Sequence, residues 1–233
     1  MKGIKILCAL LLALMHVQYS AAQDETALIE KVKQKLDQVH DYVATGRMKT
    51  DVAFIKAPVG TVKIYYKQPD YFRLIREGGI SILPKGGVTV NMNAIMATKS
   101  YVALFAGNTV TDGFPTRIVK LLPMNENNDI VLTTLYIDEK NLLIRKAITT
   151  TKENGTYQIN MQYGRYSNLG LPDKVIFTFN TQNYKIPKGV TLEMDEPLTD
   201  TDRKKMQQKN GKVEIDYASY TINKGLPQGI FNN

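Results

Sequence analysis

The chain of 233 residues has a single cysteine, Cys8, and two histidines, His16 and His40. Cys8 lies inside an apolar run from Ile6 to Met15, which Lys2 and Lys5 precede and the small residues Ser20-Ala21-Ala22 follow; this is the anatomy of a cleaved export signal. The run is well short of the roughly 20 residues a spanning helix needs, and no later stretch could cross a bilayer. Cleavage near Ala22 removes Cys8 and His16 and leaves a mature chain with no cysteine and one histidine. A disulfide is then excluded, so an exported domain has to rely on its apolar core. A lipid-attachment cysteine would stand at the cleavage point, and Cys8 lies too early for that. A Cys-His nucleophile is excluded as well. A Ser-His-Asp system would have to use His40, which falls in a helical pattern and reads as a surface residue.

Other motifs of chemistry are also missing. There is no GxGxxG and no P-loop lysine motif, and Lys85-Gly86-Gly87 after Pro84 reads as a hairpin turn. Asp200-x-Asp202 has the opening spacing of a calcium loop without its central glycine or closing glutamate, so Thr199 to Asp202 reads as a helix cap before Arg203 to Lys209. No enzyme activity, metal or cofactor is expected. The formal charge of +8, or +6 once Lys2 and Lys5 leave, is spread along the chain with acids between the bases. Arg203-Lys204-Lys205 is the densest cluster, which describes a solvated basic surface and not a nucleic-acid site.

What the chain does have is strand periodicity built around Gly60 to Leu74, GTVKIYYKQPDYFRL. Val62, Ile64 and Tyr66 share one parity, and Phe72 and Leu74 resume it beyond a corner at Lys67-Gln68-Pro69-Asp70, where the proline cannot donate to a ladder. Ahead of the corner, Asp24 to Tyr42 reads as an amphipathic helix with Asp24 as its cap and Ala27, Leu28, Val32, Lys35, Leu36 and Val39 along one side. Strands follow over Thr45 to Ile55, Ile80 to Leu83 and Val88 to Met92, then Arg117 to Leu122, Asp129 to Ile137 and Leu142 to Thr150. Asn93 to Pro115 is the least regular part and reads as a strand with flanking short helices. Tyr157, Ile159, Met161 and Tyr163 alternate with Gln158, Asn160 and Gln162, and Val213, Ile215 and Tyr217 repeat the pattern against Lys212, Glu214 and Asp216. One face of such strands meets a core and the other meets water. Gly170-Leu171-Pro172 returns as Gly225-Leu226-Pro227, a similarity of turn chemistry. The expected fold is mainly β with helices: an antiparallel sheet whose apolar face only the N-terminal helix and a few short helices are available to cover.

The corner Tyr66-Lys67-Gln68-Pro69-Asp70-Tyr71-Phe72-Arg73 resembles the K-x-P-x-x-F corner of the periplasmic lipoprotein carrier (LolA-like) family. Asp129 to Asp138 followed by Leu142 to Lys146 resembles that family's strand, turn and strand. Leu171-Pro172-Asp173, Phe177-Thr178-Phe179 and Pro187-Lys188-Gly189-Val190 resemble its closing pattern of LPD, FTF and PxGV. The resemblance covers roughly residues 24–194. It implies a strongly curved antiparallel half-barrel whose apolar concave face is covered by the N-terminal helix and short lid helices, and which carries the acyl chains of lipoproteins across the periplasm. The family's carriers often have arginine where Gln68 stands, an arginine that helps latch the lid.

On this reading residues 1–22 are the signal peptide, 23–197 the half-barrel and 198–233 a C-terminal extension packed on the same domain. Phe72 is expected to face the cavity, with Val62, Ile64, Tyr66 and Leu74 beside it. Ile82, Met92 and Met96 join them from the following segment, and Ile144, Ile159 and Met161 from the later strands. The methionines suit an irregular hollow because they adapt their shape. The expected function is a periplasmic, monomeric carrier that takes acylated lipoproteins or lipid between inner- and outer-membrane lipoprotein-sorting proteins. The alternative is a lipid- or lipoprotein-sensing regulatory module on the same scaffold.

Overall fold

A computed structural model describes residues 24–51, 59–69, 71–76, 101–125, 129–152, 155–180 and 210–231. The first element is a helix, α1, over residues 24–36. Its buried positions are Glu25, Leu28, Ile29, Val32 and, half-buried, Leu36, a set spaced by one, three and four that forms one stripe. Ala27 points outward, and Asp24, expected as the cap, is itself helical. The helix also ends earlier than the expected Tyr42. Bonding from the Asp37 amide to Lys33 O (2.8 Å) gives way to i−3 bonds from Gln38 to Lys35 O and from Val39 to Leu36 O, the tightening that closes a helix.

Ten strands follow: β1 (Asp41–Asp51), β2 (Gly60–Lys67), β3 (Tyr71–Arg76), β4 (Tyr101–Thr111), β5 (Phe114–Pro123), β6 (Ile130–Asp138), β7 (Leu143–Thr151), β8 (Gly155–Gln162), β9 (Lys174–Asn180) and β10 (Asn210–Ile222). They form one curved antiparallel sheet in the order β3-β2-β1-β10-β9-β8-β7-β6-β5-β4. The meander runs unbroken from β4 to β9. β10 then lies between β9 and β1, which joins the N-terminal strands to the meander. The chain passes from the β3 edge to the β4 edge through residues 77–100, which lie outside the described residues together with the strands expected there. The stretch expected to hold a strand flanked by short helices contains β4, a strand eleven residues long. A single core cluster takes in Leu74 on β3, at one edge, and Ala103 on β4, at the other, so the dry face of the sheet curls around one interior.

The corner after β2 turns at Gln68-Pro69, whose peptide bond is cis, and restores the register with Tyr66 opposite Phe72 and Ile64 opposite Leu74. On β1 the pairing with β10 shifts between Thr45 and Gly46. A Cβ on Gly46 would meet the Asp216 carbonyl oxygen at 2.5 Å, so only glycine lets the two backbones approach there. The repeated Gly-Leu-Pro turns share one chemistry: Gly170 and Gly225 both have φ in the left-handed region, at 70° and 78°.

The outer face is wet, as the alternation on β8 and β10 requires. On it Lys174 Nζ lies 2.8 Å from Glu214 Oε1 and 3.0 Å from Asp216 Oδ1, and Lys212 Nζ lies 2.9 Å from Glu214 Oε2. The bonds from Lys174 and then Lys212 hold the Glu214 carboxyl down at about 2. A carboxyl depressed on folding stabilises the fold above its unfolded value near 4.5, and that contribution is lost as pH falls through the folded one. Solvent screening keeps it at about 0.5–1 kcal/mol. Glu214→Gln is therefore expected to melt a few degrees below the parent at pH 7 and level with it near pH 2, as read by calorimetry across that range.

Candidate apolar binding site

The inward-facing side chains of the strands form the candidate site. Ile64 sits between Ala44 on β1 and Leu74 on β3, and one step along Tyr66 sits between Tyr42 and Phe72. Across the sheet Ile159 lies between Ala147 and Phe177, Met161 faces Val175, and Ile144 faces Ile137. Val62, Ile64, Tyr66, Leu74, Ile144, Ile159 and Met161 are all buried in one cluster, and Phe72 packs against it half-buried. Eight of the eleven residues expected to line a cavity thus share one interior. Ile82, Met92 and Met96 lie outside the described residues.

The sequence reading missed a knot of tyrosines at one end of this interior. Tyr42 lies edge-on to Tyr220 (5.3 Å between ring centroids) and tilted against Tyr66 (5.1 Å). Tyr217 stacks on Tyr220 (5.1 Å), and Tyr166 meets Tyr220 edge-on (5.0 Å). Two hydroxyls are anchored to backbone, Tyr220 donating to Pro172 O at 2.7 Å and Tyr163 donating to Ile144 O at 2.8 Å. Burial raises the phenols of Tyr42, Tyr163, Tyr217 and Tyr220 well above their ordinary value, so these groups stay neutral at any physiological pH. The signal was present in the inward parity of Tyr42 and Tyr217, but Tyr220 falls on the other parity of β10 and faces in only because the pairing shifts at Gly46.

α1 lies over the interior and is held by polar contacts at its ends. Near its start Arg117 on β5 forks onto Glu25, its Nε donating to Oε1 at 2.8 Å and Oε2 at 3.0 Å and its Nη2 to Oε1 as well. Glu25 is fully buried, and its bonds to Arg117 push the guanidinium further up. Arg117 also reaches Glu139 (3.4 Å), and Asp24 lies 4.0 Å away. One turn on, the Tyr101 hydroxyl donates to Glu30 Oε1 at 3.4 Å; burial, with that carboxylate beside it, pushes the phenol up to about 12. Toward the far end, Lys35 Nζ donates to Asn141 O at 2.6 Å. The turn that presents this carbonyl is fixed by Asp138, which accepts from the Asn141 amide (3.1 Å), Asn141 Nδ2 (2.9 Å) and Arg145 Nη2 (2.9 Å). Burial works against the Asp138 carboxylate, yet those donors outweigh it and hold its carboxyl below the ordinary range. Leu36 then abuts Gly170, where a Cβ would stand 2.7 Å from Leu36 Cδ2. Gln68 donates through Nε2 to Asp37 O at 3.2 Å and so ties the β2–β3 corner to the turn that follows α1.

Polar chemistry elsewhere is sparse. His40 is exposed, and its amide donates to Asn223 Oδ1 at 2.8 Å. Among the described residues no group of three or more histidine, cysteine, aspartate or glutamate side chains could hold a metal, and no helix is long and apolar enough to cross a membrane. Asp200 and Asp202 lie outside those residues. The arrangement can shelter an apolar chain, and the charged groups buried among the described residues are paired, Glu25 with Arg117 and Asp138 with Arg145.

No family model and no curated protein matches the chain. Solved structures do. A DUF1329 family protein from Desulfovibrio piger superposes with a TM-score of 0.59 at 12% identity, over 91% of this chain and 98% of that one. An outer membrane lipoprotein-sorting protein domain from Vibrio parahaemolyticus gives a TM-score of 0.52 at 11% identity, over 91% and 97%. At these identities the likeness establishes a shared fold, the curved sheet with its N-terminal helix.

The buried ion pair generates a prediction. Arg117→Met leaves the Glu25 carboxylate buried without its partner, and urea denaturation should show a loss of about 3 kcal/mol. Replacing both, Glu25→Leu with Arg117→Met, should recover most of that loss. Equal losses in the single and double variants would show that the pair is not what pins the start of α1.

Proposed function

We propose that this protein is an exported carrier that shelters the acyl chains of lipoproteins in its concave interior and passes them towards the outer membrane. The observation that supports this most directly is a mismatch of areas. Ten strands spaced by roughly 4.8 Å make a face about 45 Å across, whereas the thirteen residues of α1 give about 20 Å of helix roughly 10 Å wide. The helix cannot cover that face alone, and the face carries buried apolar side chains from Leu74 at one edge to Ala103 at the other. An acyl chain in water costs roughly 0.8 kcal/mol per CH₂, so a carrier has to offer such a surface and yet release what it holds. α1 suits that task. Its apolar middle, Ile29 and Val32, rests in the core while its ends are fastened by exchangeable polar contacts. Cargo enters as those contacts yield, and a modest difference in affinity between the open and closed states governs loading and release. The export signal read from residues 1–22 supports a periplasmic location, where such cargo would be moved between sorting proteins of the two membranes.

One observation favours a second reading, a sensor of lipid or mislocalised lipoprotein. Gln68, which carries no charge, bonds to Asp37 where carriers of the family it resembles often have a latching arginine. A sensor would retain its ligand and not hand it on, so a transfer assay to acceptor vesicles separates the two roles.

Phe72 provides the direct test of the interior. It packs against the core at the β2–β3 corner without being fully enclosed, so Phe72→Glu places a carboxylate at the rim while the sheet stays intact. Displacement of a fluorescent fatty acyl probe by an acylated lipoprotein should be lost in this variant, with circular dichroism and melting temperature close to the parent's. Unchanged affinity would refute the assignment of the interior as the acyl site.

A further inference from the structure

The segment that follows β10 is anchored at its root and again at its tip. At the root Asn223, with φ 55°, lays its side chain across the joint between α1 and β1. Its Oδ1 accepts from the His40 amide (2.8 Å) and the Asp41 amide (3.3 Å), and its Nδ2 donates to Gln38 O (2.8 Å). Backbone bonds double this clamp: Asn223 N donates to Asp41 O at 2.9 Å, and Asp41 Oδ1 accepts from the amides of Lys224 (3.1 Å) and Gly225 (3.0 Å). At the tip Arg73 Nη1 donates to Ile230 O at 2.6 Å, and the ring of Phe231 stands 5.4 Å from that of Tyr71. Ile230 and Phe231 are half-buried there.

Between the two anchors runs one row of the interior. Strand register sets Ile222 on β10 beside Tyr42 on β1, Tyr42 beside Tyr66 on β2, and Tyr66 beside Phe72 on β3. Each of the four belongs to the core cluster or packs against it. The segment leaves the sheet directly after Ile222, at one end of this row, and meets the two chain neighbours of Phe72 at the other. Side chains alternate along a strand, so Tyr71 and Arg73 point to the opposite side of β3 from Phe72. A hold on both of them from that side fixes the short strand that carries Phe72. The row is three strand spacings wide, roughly 14 Å. Residues 223–231 cross it with length to spare, which the turn closed by Ile230 N donating to Pro227 O (3.4 Å) takes up. The β2–β3 corner is tied to the same joint, with Gln68 N donating to His40 O at 2.8 Å.

We infer that residues 223–231 form a strap that sets the width of this row, with Asn223 and Arg73 as positioning residues for Phe72. The inference rests on the carrier reading and gives the C-terminal segment its part in it. By holding the end of α1 and the β2–β3 corner at a fixed separation, the strap governs how firmly the rim of the site closes on an acyl chain.

Hydrogen exchange and probe binding, measured on the same purified full-length variants, test it. Arg73→Met removes the bond at the tip and should speed amide exchange over residues 71–76 while leaving residues 143–151 as in the parent. It should also weaken binding of the fluorescent fatty acyl probe about tenfold, the equivalent of one hydrogen bond to a charged group. Arg73→Lys still donates to the Ile230 carbonyl and should recover most of that loss. Ending the chain at Pro227 should reproduce Arg73→Met. Asn223→Gly removes the clamp and keeps a residue at ease with positive φ, so it should speed exchange over residues 37–44 and weaken the probe in the same sense. Faster exchange with unchanged probe affinity would reduce the strap to a brace of the sheet and overturn the inference while the carrier reading stands. Arg73→Lys no better than Arg73→Met would overturn it as well. A parent that binds no acyl probe would overturn the carrier reading and the inference with it.

Discussion

A sheet with one wet face and one dry face has to hide the dry one, and among the described residues that constraint falls on a single helix of thirteen residues. Everything about α1 answers to it. The side chains of Ile29 and Val32 enter the core, while Glu25, at a position where the stripe calls for an apolar residue, is buried against Arg117. A buried ion pair adds little net stability over a hydrophobic pair of the same shape, but it fixes one arrangement, because a misplaced helix would leave a charge in the dry interior. Lys35 and Gln68 do the same more weakly toward the far end. The result is a cover located by polar contacts, a different object from a helix glued down by its whole length.

The sheet itself depends on β10. The corner strands β1 to β3 and the meander β4 to β9 are joined edge to edge only because β10 inserts between β1 and β9, with hydrogen-bonded partners on both sides. Its register shift opposite Gly46 turns Tyr217 and Tyr220 into the same interior, where they close one end with neutral rings. The curvature that brings Leu74 and Ala103 into one cluster follows from this closure. The tail after β10 reaches the β3 edge, where Arg73 donates to Ile230 O and the rings of Tyr71 and Phe231 meet.

Much of this was legible in the chain because a half-buried strand states its own parity. Val62, Ile64 and Tyr66 with Phe72 and Leu74, Ile159 with Met161, and Val213 with Ile215 all announce which way they face, and the proline corner between β2 and β3 announces its turn. β4 was legible as a strand but not in its extent: most of its side chains are exposed, so it has little parity to show, and Ala-Leu-Phe-Ala within it reads as an irregular apolar stretch. Glu25 was invisible because a carboxylate on a helix's inner stripe contradicts the pattern that defines the stripe, and its partner lies 92 residues away. The end of α1 was overestimated because Val39 continues the helical spacing although the chain has already turned towards β1. The place of β10 beside β1 could not be read at all, since pairing between the first and last strands leaves no local trace.

The central claim is that the apolar interior is a binding site and not simply a core. Native mass spectrometry of the protein purified from the periplasm, with lipid extraction of the same sample and mixing with an acylated lipoprotein, addresses it most directly. Co-purifying acyl lipid, or a one-to-one complex that disappears when the acyl chains are removed from the partner, is the predicted result. A protein that arrives empty and ignores the acylated partner would mean that the interior beneath α1 is filled by its own side chains, and that the protein carries no acyl chain.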